Sequence, residues 1–451
     1  MNQDSAHHGP PPSCPAHGRI GLYTSEFGAD PDGHYAALRQ YGSSAPVEMA
    51  PGVEAELVTG YAAALHILQN PATFVRDSRR WRALAEGRVP EDSPALAMMA
   101  YRPNALFSDG LEHSRLRQVV TDTLATVDPH ELDRHVQQVA TYLIDQFCGG
   151  SETDLLVDYA MQLPLLVYSE LFGCTADIGD RVIYGISGIF AGGADAEHAN
   201  KVLGEALYEL VKLKRRSPGR DITSRMLQHG AGLSDDEMVN QLVTLLSGGT
   251  APLASLISTG TALLLGDDRY AGTHFLVEEA IQEVLWRHAP IANYAVHYPV
   301  QDVEVDGRVL RADEPVVISF AAANTDPAVV GNSSHHLRGR SHLAFGAGPH
   351  VCPAKDPAIL IGRTAIEALL TRLTDVELAV GMRQLSWQPT PWGKTLTALP
   401  VRFTPVPRSP KRSSEMPAAA PAATPAAQAP AAQPARGGKR WTSFLNWLKG
   451  V

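Results

Sequence analysis

The sequence predicts a large folded body in which helices and strands alternate, followed by a C-terminal tail that does not fold. Hydrophobic residues make up 44% of the 451-residue chain, enough to bury a large core. One mostly apolar helical pattern, from Ser234 to Leu265, is unusually long. From Ser413 to Gln433 the chain is mainly Ala and Pro, which is too poor in bulky apolar groups to form a core.

These patterns divide the chain into a flexible leader (1–20), a folded body (21–405), a Pro/Ala-rich linker (406–439) and a terminal segment (440–451). No uncharged apolar run reaches the roughly 18 residues of a transmembrane helix, and the N-terminus lacks a signal-peptide core. The four cysteines are scattered without a CxxC pair, which is typical of a reducing compartment. We therefore expect a cytoplasmic protein in which Cys148 and Cys174 are core residues.

Charge is spread unevenly along the chain. The formal net charge is −10, and the part from Pro405 onward holds seven Lys or Arg and one acid, Glu415, or +6. The remainder therefore carries −10 − 6 = −16. An acidic body of this kind argues against nucleic acid as a partner.

The long apolar pattern begins with Ser234 and Glu237, which have the spacing of a capping box. A helix from there to Gly266 would be about 45 Å long. Inside it, Pro252 has no N–H, so the carbonyl of Gly248 loses its helical partner. We expect the helix to open at this point.

The segment Phe345-Gly346-Ala347-Gly348-Pro349-His350-Val351-Cys352 places one cysteine after a glycine-rich turn. Glycine reaches positive φ and allows the backbone to lie close to a flat ligand, and a cysteine thiolate is a soft ligand for iron. The combination suits a haem-thiolate loop. The alternative is a buried cysteine beside a turn, which is what most isolated cysteines are.

This segment resembles the iron-ligand loop of the cytochrome P450 superfamily, Phe-Gly-x-Gly-x-His/Arg-x-Cys, and the likeness covers about residues 20 to 405 in the same order. The resemblance implies a mainly α fold with small β-sheets and haem b as the cofactor. It implies that Cys352 is the proximal iron ligand and that Gly346 lies in the cofactor-binding loop. It also implies that Phe345 packs near the thiolate and His350 reaches a haem propionate.

Two further segments resemble the family's propionate-binding residues. His113 and Arg117 are four apart and share one helical face, as in the bacterial helix that binds propionates; a solvated basic face is the alternative. His297 aligns with the family's propionate-binding arginine. Its charge depends on pH, so we expect haem retention to weaken as the pH rises.

The family's Glu-x-x-Arg motif is altered here. In Glu283-Val284-Leu285-Trp286-Arg287, Trp286 stands where the arginine belongs. Arg287 is one residue late, which turns its side chain by about 100° on a helix. We expect Arg287 to point away and packing by Trp286 to replace the usual ion pair.

The aligned run in the long helix, Ser247-Gly248-Gly249-Thr250-Ala251-Pro252, also departs from the family. Thr250 occupies the place of an acid and Ala251 that of an alcohol, the pair that delivers protons. General acid assistance, typically about 10² to 10⁴ in rate, is therefore in doubt. The free carbonyl of Gly248 could hold a water and Thr250 could donate to it, or Thr250 could bond back to the Leu246 carbonyl.

The terminal segment has an amphipathic pattern behind the basic pair Lys439-Arg440. Its apolar residues fall at helical spacing: Trp441, Phe444, Leu445 and Leu448. Such a segment suits an anionic membrane surface, which would make the protein peripheral at the inner membrane face, or a partner's groove. The alternative is a tail whose aromatics have no role. A helix this short is marginal in water, so we expect it to form on binding.

Three functions follow. The first is a monooxygenase that takes electrons from a ferredoxin-type partner and inserts one oxygen atom into a small apolar substrate, and the second is a peroxide-dependent variant. The third is a haem-binding regulatory or sensor subunit of a membrane-associated signalling complex. The segments Arg79 to Leu106 and Gly173 to Lys201 are expected to contact the substrate.

Overall fold

The computed structural model describes residues 19–191, 196–270, 277–330, 340–409 and 440–448. The helices in these residues are α1 Ser25–Ala29, α2 Pro31–Leu38, α3 Tyr61–Gln69, α4 Arg82–Ala85, α5 Leu96–Met99, α6 Gly110–Leu124, α7 Pro129–Phe147, α8 Gln162–Leu171, α9 Ala176–Ala191, α10 Ala196–Arg216, α11 Ile222–Gln228, α12 Asp235–Gly266, α13 Val277–Arg287, α14 Phe320–Asn324, α15 Pro327–Val330, α16 Lys355–Arg372 and α17 Arg440–Leu448. The strands are β1 Ile20–Gly21, β2 Ser44–Ala50, β3 Val53–Val58, β4 Phe74–Val75, β5 Glu152–Asp154, β6 Asn293–Pro299, β7 Val303–Val305, β8 Arg308–Leu310, β9 Val316–Ser319, β10 Glu377–Leu378, β11 Trp387–Thr390, β12 Gly393–Leu396 and β13 Pro400–Arg402. The fold is mainly helical with small sheets, as predicted.

The first of two compact units is built around a six-stranded sheet. It comprises the described residues up to Thr121, those of Ser255–Ile359, and Val380–Leu399. The strand order is β1-β2-β3-β9-β6-β4. Neighbouring residues of one strand join different buried clusters, Leu57 and Val317 in one and Val58 and Val316 in the other. This alternation is the period of two expected when both faces of a sheet are covered.

The second unit is mainly helical and contains α7 to α11 together with α17. It also contains the three-stranded sheet β10-β13-β5. Helix α7 begins after Asp128, whose carboxylate accepts the N–H groups of His130 and Glu131, and Pro129 occupies the first turn. Cys148 and Cys174 are buried here, which confirms their prediction as core residues.

The long helix α12 begins with the predicted capping box. The Ser234 N–H donates to the Glu237 carboxylate at 2.8 Å, and the Glu237 N–H donates to the Ser234 hydroxyl at 3.2 Å. The helix is continuous through Pro252, so the expected opening there is wrong. By length and composition α12 could cross a membrane, but 56% of its most apolar window is buried inside the protein, as in a core helix.

The limits of the folded body differ slightly from the prediction. It begins at β1, and it continues to Ser409, whose N–H donates to the Asp145 carboxylate at 3.0 Å. The boundary predicted at residue 405 is therefore four residues early. The predicted leader, up to residue 18, and residues 410–439 of the predicted linker lie outside the described residues.

The terminal segment forms the predicted helix, α17, but not with exposed aromatics. Trp441 is 1% exposed and Phe444 is fully buried, and both lie against helices of the second unit. The expectation that these two side chains await a membrane or another protein is therefore wrong for this structure. The side chains of Leu445 and Leu448 lie outside the described residues.

Candidate active site

The ligand loop, Phe345 to Cys352, is shaped by two glycines. Gly346 has φ +71° and Gly348 has φ +67°, values that favour glycine. A Cβ on Gly348 would lie 2.0 Å from the Leu68 carbonyl oxygen, so no larger residue fits. The Cys352 N–H donates to the Phe345 carbonyl at 2.8 Å, which closes the loop and fixes the position of the thiol.

The Cys352 thiol is mostly buried in a setting suited to a metal-bound thiolate. Burial raises its pKa, while a hydrogen bond from the Ala354 N–H and the positive charge of Arg117 act in the opposite direction. A free thiol here therefore stays protonated, and a bound metal cation would favour the thiolate. The Ala354 amide is then the outer hydrogen bond that tunes such a ligand.

Helix α6 brings two of the predicted residues to the ligand loop. The Arg117 guanidinium donates to the Val351 carbonyl and, through Nε, to the Thr121 hydroxyl at 3.2 Å. The His113 ring lies 4.0 Å from the His350 ring, measured between centroids. His113 and Arg117 thus contact His350 and Val351 of the loop that carries Cys352.

Asp109 organises this cluster and was not identified from the sequence. Its carboxylate accepts the backbone N–H groups of Arg76 and Asp77 at 2.9–3.0 Å and lies 3.8 Å from His350 Nε2. Although burial opposes it, these hydrogen bonds lower the pKa of Asp109. Asp109 immediately precedes α6, and this position was the only sign in the sequence that Asp109 could belong to the site.

Arg76 is a second residue that sequence reasoning missed. It is 6% exposed, and its side chain makes one long hydrogen bond, Nε to the Leu106 carbonyl at 3.4 Å. No carboxylate among the described residues forms an ion pair with the Arg76 guanidinium. Strands β4 and β6 pair Val75 with Tyr298, and extending this register by one residue places Arg76 opposite His297.

His297 is buried and neutral in this arrangement. Burial and the nearby charge of Arg76 lower its pKa well below the usual value. Its Nδ1 lies 2.9 Å from the Ala295 carbonyl oxygen, which can only accept, so Nδ1 carries the proton. Neutral His297 therefore has no N–H left on Nε2 for a carboxylate.

Together these residues fit a group with negatively charged edges. Burial and the charge of Arg117 lower the pKa of His113, whose Nε2 is buried without a hydrogen-bond partner. Burial also lowers the pKa of His350 to about 4. An unpaired arginine and an unsatisfied buried histidine are costly unless an anion meets them. The two carboxylates of haem are such anions, and Cys352 is a suitable iron ligand.

The altered Glu-x-x-Arg motif is rearranged rather than lost. Trp286 is 3% exposed and Arg287 is exposed, as predicted. However, Glu283 still has an arginine partner: Arg269 donates to it at 2.7 Å, and the Tyr270 hydroxyl donates at 2.8 Å. The expectation that packing replaces the ion pair is therefore wrong.

Trp286 instead joins a row of rings that leads to the ligand loop. Its ring centroid lies 5.9 Å from that of His342 at an interplanar angle of 81°, and His342 lies 5.9 Å from Phe345. Burial lowers the pKa of His342 to about 4, so the ring is neutral. The Trp286 side chain thus supports the residue whose carbonyl anchors Cys352.

Thr250 lies in the second unit and is almost fully buried. Its hydroxyl donates to the Leu246 carbonyl at 2.7 Å, which is the back-bonding alternative stated above. Because the Gly248 carbonyl has no amide partner four residues on, it remains available to a hydrogen-bond donor. The Thr250 proton is engaged, so the hydroxyl can act mainly as an acceptor.

Comparisons with known proteins agree with this geometry, although no protein-family model matches the chain. The chain is 30% identical over 401 residues to the cytochrome P450 monooxygenase PikC of Streptomyces venezuelae, covering 85% of this chain and 94% of that protein. It is 31% identical over 394 residues to nocardicin C N-oxygenase of Nocardia uniformis subsp. tsuyamanensis, covering 82% and 94%. The solved structure of CYP154C4 from Streptomyces sp. W2061 matches with a TM-score of 0.77 at 28% identity, over 85% of this chain and 97% of that one. The chain therefore belongs to the cytochrome P450 superfamily of haem-thiolate monooxygenases.

Proposed function

We propose that this P450 inserts one oxygen atom from dioxygen into a small apolar substrate, with electrons supplied by a ferredoxin-type protein. The observation that carries the proposal is the mostly buried Cys352 thiol on a complete ligand loop. The relatives include an N-oxygenase and a named monooxygenase, which supports oxygen insertion as the reaction. Haem bound through a cysteine thiolate supplies the iron chemistry that cleaves the O–O bond.

The chain's own residues then have distinct roles. Cys352 would ligate the iron as a thiolate, with the Ala354 N–H donating to its sulfur. His113 and Arg117 would bind haem carboxylates from α6, while Arg117 also joins that helix to the Val351 carbonyl. His350 binds from within the loop, with Asp109 orienting its ring.

Proton delivery is the step for which the chain is least equipped. The Thr250 hydroxyl already donates to the Leu246 carbonyl, and Ala251 has no hydroxyl. The Gly248 carbonyl, freed by Pro252, would hold a water from which a proton could move. This arrangement favours a second candidate function within the same class, a peroxide-dependent oxygenase, because peroxide brings the oxygen atom already reduced.

The regulatory-subunit hypothesis loses one of its supports. It relied on the altered motifs and on exposed aromatics in the terminal segment, and Trp441 and Phe444 are buried against the same chain. We propose instead a cytoplasmic enzyme with no requirement for a membrane surface. Substrate contacts are assigned to the segments Arg79–Leu106 and Gly173–Lys201, and neither carries a motif that names the substrate.

One experiment separates these functions. The purified protein is screened against a panel of small apolar compounds, either with surrogate ferredoxin and reductase under isotopically labelled dioxygen or with peroxide alone. Labelled product in the first arm supports the proposed monooxygenase. Product in the peroxide arm alone selects the second candidate, and absence of product in both arms, with a normal haem-thiolate spectrum, contradicts both.

A further inference from the structure

At the edge of the six-stranded sheet, the buried arginine directly follows β4, whereas the paired strand β6 carries a histidine. The family places an arginine at the position of His297, and in this chain the opposing residue, Arg76, is the arginine. Both side chains are buried, at 6% exposure for Arg76 and 2% for His297. Directly opposed residues on neighbouring strands have Cβ atoms about 5 Å apart, so the two positions serve one site.

Of these two residues, only Arg76 can supply a permanent positive charge. A guanidinium stays protonated in proteins, whereas His297 is neutral with its single N–H given to the Ala295 carbonyl. Asp109 lies near enough to favour the charged form of Arg76, but its carboxylate accepts the Arg76 and Asp77 amides, and the described residues show no ion pair between the two side chains. A buried guanidinium with one long hydrogen bond is stable only if an anion joins it.

We propose that Arg76 binds a haem carboxylate in place of His297. The two neighbouring residues then differ in role: Arg76 donates to the carboxylate and His297 fills space beside it. The assignment concerns cofactor retention and does not depend on the proposed substrate or oxidant. It also removes the pH dependence of haem retention expected from the sequence, because an arginine holds its charge over the whole working range.

The test measures haem transfer from the intact holoprotein to an excess of haem-free myoglobin. Arg76→Gln should lose haem about 10- to 100-fold faster, the effect of one charge-assisted hydrogen bond. Arg76→Lys, which keeps the charge, should fall between the two. Arg79→Gln is the matched control, since that arginine is in the same segment with its side chain 58% exposed, and it should release haem at the wild-type rate.

A charge-swap variant and a spectrum exclude a merely structural role. The double variant Arg76→Gln with His297→Arg places the arginine on β6 and should restore slow haem loss. The propionate bending band in the resonance Raman spectrum should shift in Arg76→Gln and not in Arg79→Gln. Wild-type retention with an unshifted band in Arg76→Gln would overturn the proposal, as would a charge-swap variant no better than Arg76→Gln.

An independent observation concerns the slot on the second unit that holds α17. The Trp441 indole donates to the Cys174 carbonyl at 3.3 Å. A Cβ on Gly179 of α9 would lie 2.1 Å from Trp441 Cδ1, so this glycine creates the space for the indole. The Phe444 ring lies 5.2 Å from that of Tyr142, between centroids. We call these surroundings of Trp441 and Phe444 the tail slot.

The tail slot also supplies hydrogen-bond acceptors to the first turn of α17. The Asp180 carboxylate accepts the Trp441 N–H at 2.8 Å and the Thr442 N–H at 3.3 Å, and it accepts the Thr442 hydroxyl. These amides belong to the first turn of α17, where a helix has no internal acceptors. A nine-residue helix is marginal alone, so Asp180 and the apolar contacts stabilise it only when it is seated.

The segment that connects Ser409 to α17 is much longer than the distance between its two attachment points on α7 requires. Ser409 is bonded to Asp145 of α7, and Phe444 contacts Tyr142, one turn earlier on the same helix. Residues 410–439 join the two points, and a chain of that length can span about 100 Å. Both attachment points lie on α7, so the length of this connection does not by itself fix α17 in the tail slot.

We infer that α17 is a detachable ligand of its own chain, and that the tail slot is a peptide-binding site for a short helix with Trp at its first turn and Phe three residues later. The occupant is the chain's own α17. Undocking would free the slot on α9, which lies in the segment assigned to substrate contacts. The tail and the substrate would then both contact α9.

The binding experiment uses full-length holoproteins and a fluorescent peptide of residues 437–451. The variant with Trp441→Ala and Phe444→Ala has an empty slot and should bind the peptide saturably. Wild type should bind it at least about 10-fold more weakly, because its own tail competes. Gly179→Leu combined with those two substitutions should not bind, since leucine fills the indole site, and its unchanged haem-thiolate spectrum would verify folding.

Two results would overturn this second inference. One is no peptide binding to the empty-slot variant, and the other is equal binding to the version that also carries Gly179→Leu. Light scattering provides a further check. A wild-type dimer that dissociates on removal of residues 410–451 would show that α17 docks on a second copy and not on its own chain.

Discussion

The ligand loop and the Ser247–Pro252 segment of α12 retain very different amounts of the family's pattern. The loop keeps every fixed position: Gly346 and Gly348 have positive φ values that favour glycine, and a Cβ on Gly348 would meet the Leu68 carbonyl. In the α12 segment the acid and alcohol are replaced by Thr250 and Ala251, and the remaining hydroxyl is bound to the backbone. Cofactor binding and proton delivery are thus encoded separately and have diverged to different extents.

Of the changes proposed for these two segments, removal of the Cys352 thiol should have the largest effect. In Cys352→Ala we expect complete loss of the red-shifted Soret band of the reduced carbon-monoxide complex, because that band requires a thiolate ligand. Difference spectroscopy of the purified protein measures it. Cys148→Ala, which alters a buried cysteine of the other unit, should keep the band. A persistent band in Cys352→Ala would refute the ligand assignment.

Restoring the altered α12 segment should have the next largest effect. With Thr250→Asp and Ala251→Thr, we expect dioxygen-driven product formation to rise by about 10²-fold or more, within the range of general acid assistance. Product formed per dioxygen consumed is the measurement. Thr250→Val removes only a hydroxyl that already bonds to Leu246 and should have little effect. If Thr250→Val abolished turnover, Thr250 would be a proton donor after all.

Both units should share a sensitivity to acid. Burial lowers the pKa of His135 in one unit and of His288 in the other to about 4. The unfolded chain therefore binds these protons first, so stability is full above about pH 6.5 and falls as the pH drops toward 4. Each histidine accounts for up to about 3 kcal/mol.

Urea unfolding between pH 7.5 and 4.5 measures this loss. His135→Phe and His288→Phe cannot be protonated, so each should flatten the dependence of the unfolding free energy on pH. The Glu170 carboxylate lies 3.0 Å from His135 Nδ1, and burial raises the pKa of this carboxyl. A wild-type free energy that stayed constant over the range would contradict the predicted direction.

The rearranged ion pair should give the smallest of these effects. Glu283→Gln removes a charge that accepts from Arg269 and Tyr270, and we expect it to destabilise the fold by about 1–3 kcal/mol. Arg287→Gln, at the exposed position beside the motif, should change the unfolding free energy by less than about 0.5 kcal/mol. The reverse order would show that Arg287 has the structural role.

Features within one stretch of sequence were predictable, whereas pairings between distant segments were not. The capping box at Ser234 and the ligand loop require only neighbours, and both match the structure. The role of Arg76 depends on the register between β4 and β6, which no local pattern records. The tail slot depends on a missing side chain at Gly179, and a glycine inside a helix gives no hint of the indole that fills its space.

The Arg269–Glu283 pair shows what a fixed-spacing motif can conceal. The acid keeps its place in α13, but its base comes from fourteen positions earlier in the chain. A pattern search that demands an arginine three residues after the glutamate would discard this chain, although the charge balance it seeks is present. With Arg269 as its base, Glu283 is not left as an unpaired carboxylate beside the neutral Trp286.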